Sequence, residues 1–148
     1  LEACGQIEEV GSEVSLFKVG DRVTHASMPI GAYSEKQIMP EDKLISVPNG
    51  ISDEVASCIT LKGITAEYLL HRAYPLKKGD NVLYHAAAGA LGQILCPCAN
   101  AFGADVIGTV GTKAKEEIAK KNGCHHVINY TDSSSHVVLV STTINARK

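Results

Sequence analysis

The sequence predicts an α/β fold: part of a doubly wound parallel sheet, preceded by a small, separate β region. Three observations lead there. Residues 81–130 read as strand, helix, strand, helix, strand. A run of small residues, Ala86-Ala87-Ala88-Gly89-Ala90-Leu91-Gly92, makes the first strand-to-helix turn. The first fifty residues instead carry short apolar runs bounded by glycine and proline, with no helical period.

In that first region, strands are expected at Gln6–Val10, after the Gly20-Asp21 turn at Arg22-Val23, at Ala32–Ile38 and at Lys43–Val47. Pro48-Asn49-Gly50 closes it. Ser52 followed by Asp53 and Glu54 is a helix N-cap with acids in the first turn, where they meet the positive end of the helix dipole. Ile59, Ile64, Ala66, Leu69, Leu70 and Ala73 then give one or two helices, with Gly63 as the point of a break. The expected organisation is 1–50 as a partial β domain and 51–148 as linker helices plus the first half of a parallel-sheet domain, with an atypical tail at 132–148.

Pro75–Asp80 is a loop into the strand Asn81–Ala86, which runs into the small-residue turn and an apolar helix. On the G-x-G-x-x-G pattern, Ala87, Gly89 and Gly92 take the three glycine places, which demand a tight turn, room for a pyrophosphate and close helix-strand packing. A phosphate would rest on free amides at the helix N-terminus. Gly103 ends that helix, and Asp105–Val110 is the second strand. The fold is therefore half of a dinucleotide-binding domain.

The end of the second strand separates the two nicotinamide cofactors. A site for NAD carries Asp or Glu there for the ribose hydroxyls; this chain has Thr109-Val110-Gly111-Thr112, and its nearest acid, Asp105, stands at the other end of the strand. Lys113 and Lys115 follow, and an ammonium attracts a 2′-phosphate. NADPH is the expected cofactor. The competing reading makes both lysines a solvated helix start paired with Glu116 and Glu117.

Composition bounds the function. With 148 residues, a net charge of −2, 45% hydrophobic and 20% charged residues, the chain is globular rather than disordered and has no basic stripe for nucleic acid. No apolar run reaches the roughly 18 residues of a membrane span, no secretory signal opens the chain, and a cytoplasmic location is expected. Five cysteines without paired C-x-x-C spacing argue against a disulfide framework or a structural zinc site. Cys96-Pro97-Cys98 falls inside a helix, where thiols two residues apart diverge by about 200° and cannot share a ligand. No Ser/His/Asp or Cys/His nucleophile arrangement is recognisable, and the catalytic residues are unassigned.

The segments Gly20-Asp21-Arg22-Val23, Gly31-Ala32-Tyr33-Ser34-Glu35, Leu61-Lys62-Gly63-Ile64-Thr65-Ala66, His85–Gly92, Gly108–Thr112 and Val127-Ile128-Asn129-Tyr130 closely resemble the zinc-free NADPH:quinone oxidoreductases, relatives of zeta-crystallin in the medium-chain dehydrogenase/reductase superfamily. The match covers residues 1 to about 131, and its spelling is similar to plant members. It implies a GroES-like β domain, a Rossmann domain binding NADPH, and metal-free hydride transfer to a quinone or enone. Beside Gly89 and Gly92 of the glycine pattern, it implies cofactor contacts from Tyr68, from Ala90 and Leu91 in the turn, from Gly111, Thr112, Lys113, Ala114 and Lys115, and from Tyr130. Lys115 and Tyr130 would face the 2′-phosphate, and Thr65 the nicotinamide.

Leu1 and Lys62 fall where zinc-dependent relatives place a zinc-ligating His and Cys, and neither a leucine nor an ammonium has a lone pair to give. Full-length relatives are expected to be homodimers, and these 148 residues alone are expected to turn over weakly or not at all. The alternatives are a non-catalytic NADPH- or RNA-binding crystallin-like protein and a non-functional fragment.

Overall fold

The computed structural model describes residues 1–132, and the tail beyond residue 132, expected to be atypical, lies outside them. It is a mixed α/β fold in two compact units, residues 1–74 and the remainder from Pro75.

In the first unit, β1 (Ala3–Gln6), β2 (Arg22–His25) and β3 (Ile45–Ser46) form an antiparallel sheet in that order, with Cys4 opposite Thr24 and Val23 opposite Ser46. Helix α1 (Asp53–Glu67) packs on β1 and β2. Ser52 caps it by accepting from Val55 N at 3.3 Å. A buried hydroxyl pair, Thr24 Oγ1 to Thr60 Oγ1 at 2.9 Å, ties β2 to the helix, and Glu2 accepts from Leu61 N at 2.8 Å and pairs with Lys62.

Three expectations here need correction. The first strand begins three residues earlier than expected, because pairing with β2 runs from Ala3 to Gln6 and leaves Glu8 and Glu9 exposed. Ala32–Ile38 forms no strand: Tyr33 and Ile38 are 105% and 94% exposed, and the segment is held by Gln37 Nε2 donating to Pro29 O at 2.9 Å. The helix does not break at Gly63 but runs through it and continues as a π-helical turn at Tyr68–Ala73.

Asp53 ties α1 to β2. Its Oδ1 accepts from Arg22 Nε at 2.9 Å and from Cys4 Sγ at 3.4 Å. The Arg22 hydrogen bond, then that of Cys4, holds the Asp53 carboxyl below its ordinary 3.8. A carboxyl depressed in the folded state stabilises above its unfolded value and loses that contribution as pH falls through the folded one. The first unit is therefore expected to lose stability on acidification below about pH 4. Asp53→Asn should flatten that limb of a midpoint-versus-pH profile; an unchanged profile would reject the assignment.

In the second unit, β4 (Asn81–Tyr84), β5 (Asp105–Val110) and β6 (His126–Asn129) form a parallel sheet in that order, with Leu83 opposite Ile107 and Thr109 opposite Ile128. Helices α2 (Gly92–Ala101) and α3 (Lys113–Lys121) are the crossovers. Parallel strands buried by helices require apolar interiors, and Val106, Val110, Leu95, Cys96, Ala99 and Ala119 supply them, each at most 2% exposed. Gly103, at φ +80°, turns the chain from α2 into β5 as expected.

Candidate functional site

The carboxyl ends of β4 and β5 carry the two loops that open helices α2 and α3. After β4 the chain reverses at Ala86, which adopts φ +57°. Ala87, fully buried, then donates its N–H to Thr109 O at 3.0 Å, which fixes the turn to β5. Gly89 N closes the turn on Ala86 O at 2.7 Å, and Gln93 N donates to Gly89 O at 2.9 Å, joining the turn to the helix. A side-chain carbon at Gly92 would lie 2.4 Å from Ala87 O, so the helix meets the turn where only glycine fits. Among the described residues, the N–H groups of Ala90, Leu91 and Gly92 find no acceptor. Three free amides at a helix N-terminus are what an anionic group binds.

The second loop starts at Gly111. Thr112 caps α3 by accepting from Lys115 N at 3.4 Å, which leaves Lys113, Ala114 and Lys115 exposed on the first turn. Tyr130, just past β6, lays its hydroxyl over Gly111: a side-chain carbon there would sit 2.6 Å from Tyr130 Oη. Thr131 Oγ1 lies 3.1 Å from Gly111 O, in donor range, and pins the same crossing.

No carboxylate stands at the end of β5. Asp105, at its beginning, faces His125 Nδ1 at 3.3 Å and His126 Nε2 at 3.6 Å. The pairing of both lysines with Glu116 and Glu117 is not the one found. Glu116 accepts from Asn129 Nδ2 at 2.9 Å and Glu117 faces Lys120 at 3.7 Å, while Lys113 and Lys115 have no acidic partner among the described residues.

The structure thus gathers Gly89, Ala90, Leu91 and Gly92 in one loop, and Gly111, Thr112, Lys113, Ala114 and Lys115 with Tyr130 in the next. Thr65 and Tyr68 belong to the first unit, where Thr65 Oγ1 donates to Leu61 O at 2.7 Å and Tyr68 is 54% exposed at the start of the π-helical turn. Sequence reasoning passed over His85, whose Nδ1 lies 3.1 Å from Thr109 Oγ1 between the two strand ends, and over Asn129 and Thr131. The position of Asn129 at the carboxyl end of β6 was the available signal.

Cys96 and Cys98 lie on opposite sides of α2, one buried and one exposed. Burial, with Cys124 beside it, pushes the Cys96 thiol up to about 12. A thiol so raised stays protonated and is neither nucleophile nor ligand at neutral pH.

Two family models match: "Alcohol dehydrogenase GroES-like domain" over residues 1–75 and "Zinc-binding dehydrogenase" over residues 90–144. The chain is 46% identical over 130 residues to a quinone oxidoreductase of Pseudomonas aeruginosa, covering 88% of this chain and 40% of that protein. It is 51% identical over 132 residues to a 2-haloacrylate reductase of a Burkholderia species, with the same two coverages. The crystal structure of Escherichia coli quinone oxidoreductase complexed with NADPH superposes with a TM-score of 0.86 at 46% identity, over 88% of this chain and 40% of that one. The chain spans about 40% of the length of the curated relatives it matches.

Proposed function

Because the chain belongs to the quinone oxidoreductase branch of the medium-chain dehydrogenase/reductase superfamily, we propose that it binds NADPH through its second unit and that the protein reduces quinones or related enones. The observation carrying this reading is the β5 end: no acid, two lysines without acidic partners among the described residues, and the Tyr130 hydroxyl over Gly111. A carboxylate there would repel a 2′-phosphate, whereas ammonium and phenol groups bind one.

In this proposal the loop of Gly89, Ala90, Leu91 and Gly92 holds the pyrophosphate with its free amides, on the α2 dipole. Gly111, Thr112, Lys113, Ala114, Lys115 and Tyr130 hold the adenosine 2′-phosphate, and Thr65 and Tyr68 add contacts from the first unit. NADPH, when bound, supplies a hydride from its nicotinamide ring; the protein's contribution is orientation and exclusion of water. The quinone and 2-haloacrylate names of the relatives share an electrophilic carbon conjugated to a carbonyl or carboxyl group, the acceptor type a hydride requires.

Zinc does not fit the residues present. Leu1 offers no ligand atom, and the Lys62 ammonium is paired with Glu2. The reading also has a small-molecule acceptor rather than nucleic acid, supported by the net charge of −2 and 5% aromatic content. Homodimerisation of the whole protein and a cytoplasmic location belong to the same proposal.

Parallel fluorescence titrations with NADPH and NADH test it. NADPH is expected to bind more tightly, and Lys115→Ala to weaken NADPH about tenfold with NADH unchanged, the loss of one charge-assisted contact. Equal affinity for the two cofactors, or indifference to Lys115→Ala, would reject the reading.

A further inference from the structure

Glu116 is an acid in the first turn of α3, beside the lysines and at the helix end proposed for the 2′-phosphate. Left free, its carboxylate would compete for the same charges: Lys113 is its (i, i+3) neighbour, and a first-turn acid interacts favourably with the helix N-terminus that the phosphate needs. It is not free. Asn129 Nδ2 donates to Glu116 Oε1 at 2.9 Å from the end of β6. Asn129 Oδ1 faces Thr131 N at 3.1 Å and Thr131 Oγ1 at 2.8 Å.

These contacts determine the amide's orientation from both sides. A backbone N–H can only donate, so the atom facing Thr131 N is the oxygen; a carboxylate can only accept, so the atom facing Glu116 is the NH2. Thr131 in turn meets Gly111 O at 3.1 Å, under the Tyr130 hydroxyl. One side chain therefore restrains the acid on α3 and fixes the loop that carries Tyr130.

We propose that Asn129 is a positioning residue for cofactor selectivity: its amide holds the Glu116 carboxylate away from Lys113 and Lys115 and thereby keeps the α3 entrance positive for a 2′-phosphate. The inference rests on the NADPH reading above and adds a residue whose effect is exerted through Glu116.

Asn129→Asp is the sharp substitution, because it keeps size and the acceptor toward Thr131 while setting carboxylate against carboxylate at Glu116. NADPH affinity is expected to fall about tenfold or more, with NADH affinity unchanged. Glu116→Gln in the Asn129→Asp background is expected to restore NADPH binding to within about threefold of the parent, since the glutamine amide neither repels the introduced carboxylate nor neutralises a lysine.

Equal losses for NADPH and NADH in Asn129→Asp would show a merely structural role and overturn the proposal. A loss that persists in the double variant would assign the effect to the introduced charge alone and overturn it as well. A parent chain that does not prefer NADPH would instead overturn the cofactor reading, which the parent titration shows by itself before any variant is compared.

Discussion

Gly92→Ala is expected to abolish NADPH binding and to destabilise the second unit by about 3 kcal/mol, the upper part of the range for forcing an atom into a packed interior. The added methyl would lie 2.4 Å from Ala87 O, 2.7 Å from its carbonyl carbon and 2.8 Å from its Cα. None of these atoms is the end of a flexible side chain. Ala87 is fully buried and its N–H is committed to Thr109 O, so the turn cannot retreat without breaking its tie to β5. The helix must move instead, carrying the amides of Ala90, Leu91 and Gly92 away from one another. Thermal unfolding followed by circular dichroism should show the second unit's transition lowered by roughly 15–20 °C. Affinity within twofold of the parent in a fluorescence titration would mean that this turn does not hold the pyrophosphate.

The same contact explains what the sequence made legible. A turn that admits only glycine at one point and a glycine at φ +80° after a helix each leave a local mark at a fixed spacing. The order of β4, α2, β5, α3 and β6, together with the loops at Gly89–Gly92 and Gly111–Lys115, could therefore be read from neighbouring residues alone.

The first unit is different. Ala32–Ile38 lies between a glycine and a proline, as a short strand would, yet strand formation depends on a partner supplied from elsewhere, and none meets Tyr33 or Ile38 among the described residues. Gly63 reads as a helix breaker, but its cost of about 1 kcal/mol is small beside the packing of Ala56, Thr60 and Ala66, buried on the same helix. The Asn129 to Glu116 bond escaped for a related reason. It joins residues 13 apart on a strand and a helix, and only the packing of α3 on β6 brings them together.

Pro97→Ala should act in the opposite direction, stabilising the second unit by about 2 kcal/mol. Proline inside a helix costs about 3 kcal/mol relative to alanine, because it removes one N–H and crowds the carbonyl four residues earlier. Helix α2 nevertheless continues through it, since Leu95, Cys96 and Ala99 are buried at 2%, 0% and 0% exposure and hold the backbone in place. Pro97 itself faces outward, so alanine there removes no core contact and lets its N–H reach the Gln93 carbonyl. Part of the gain is offset because proline also restricts the unfolded chain, by about 0.4–1 kcal/mol. The unfolding transition of the second unit should rise by roughly 10 °C with NADPH affinity unchanged, as the substitution lies more than a turn beyond the amides at Ala90–Gly92. A transition that stays put or falls would mean that the Gln93 carbonyl is already satisfied in another way, and that the proline fits a bend the packing of α2 requires.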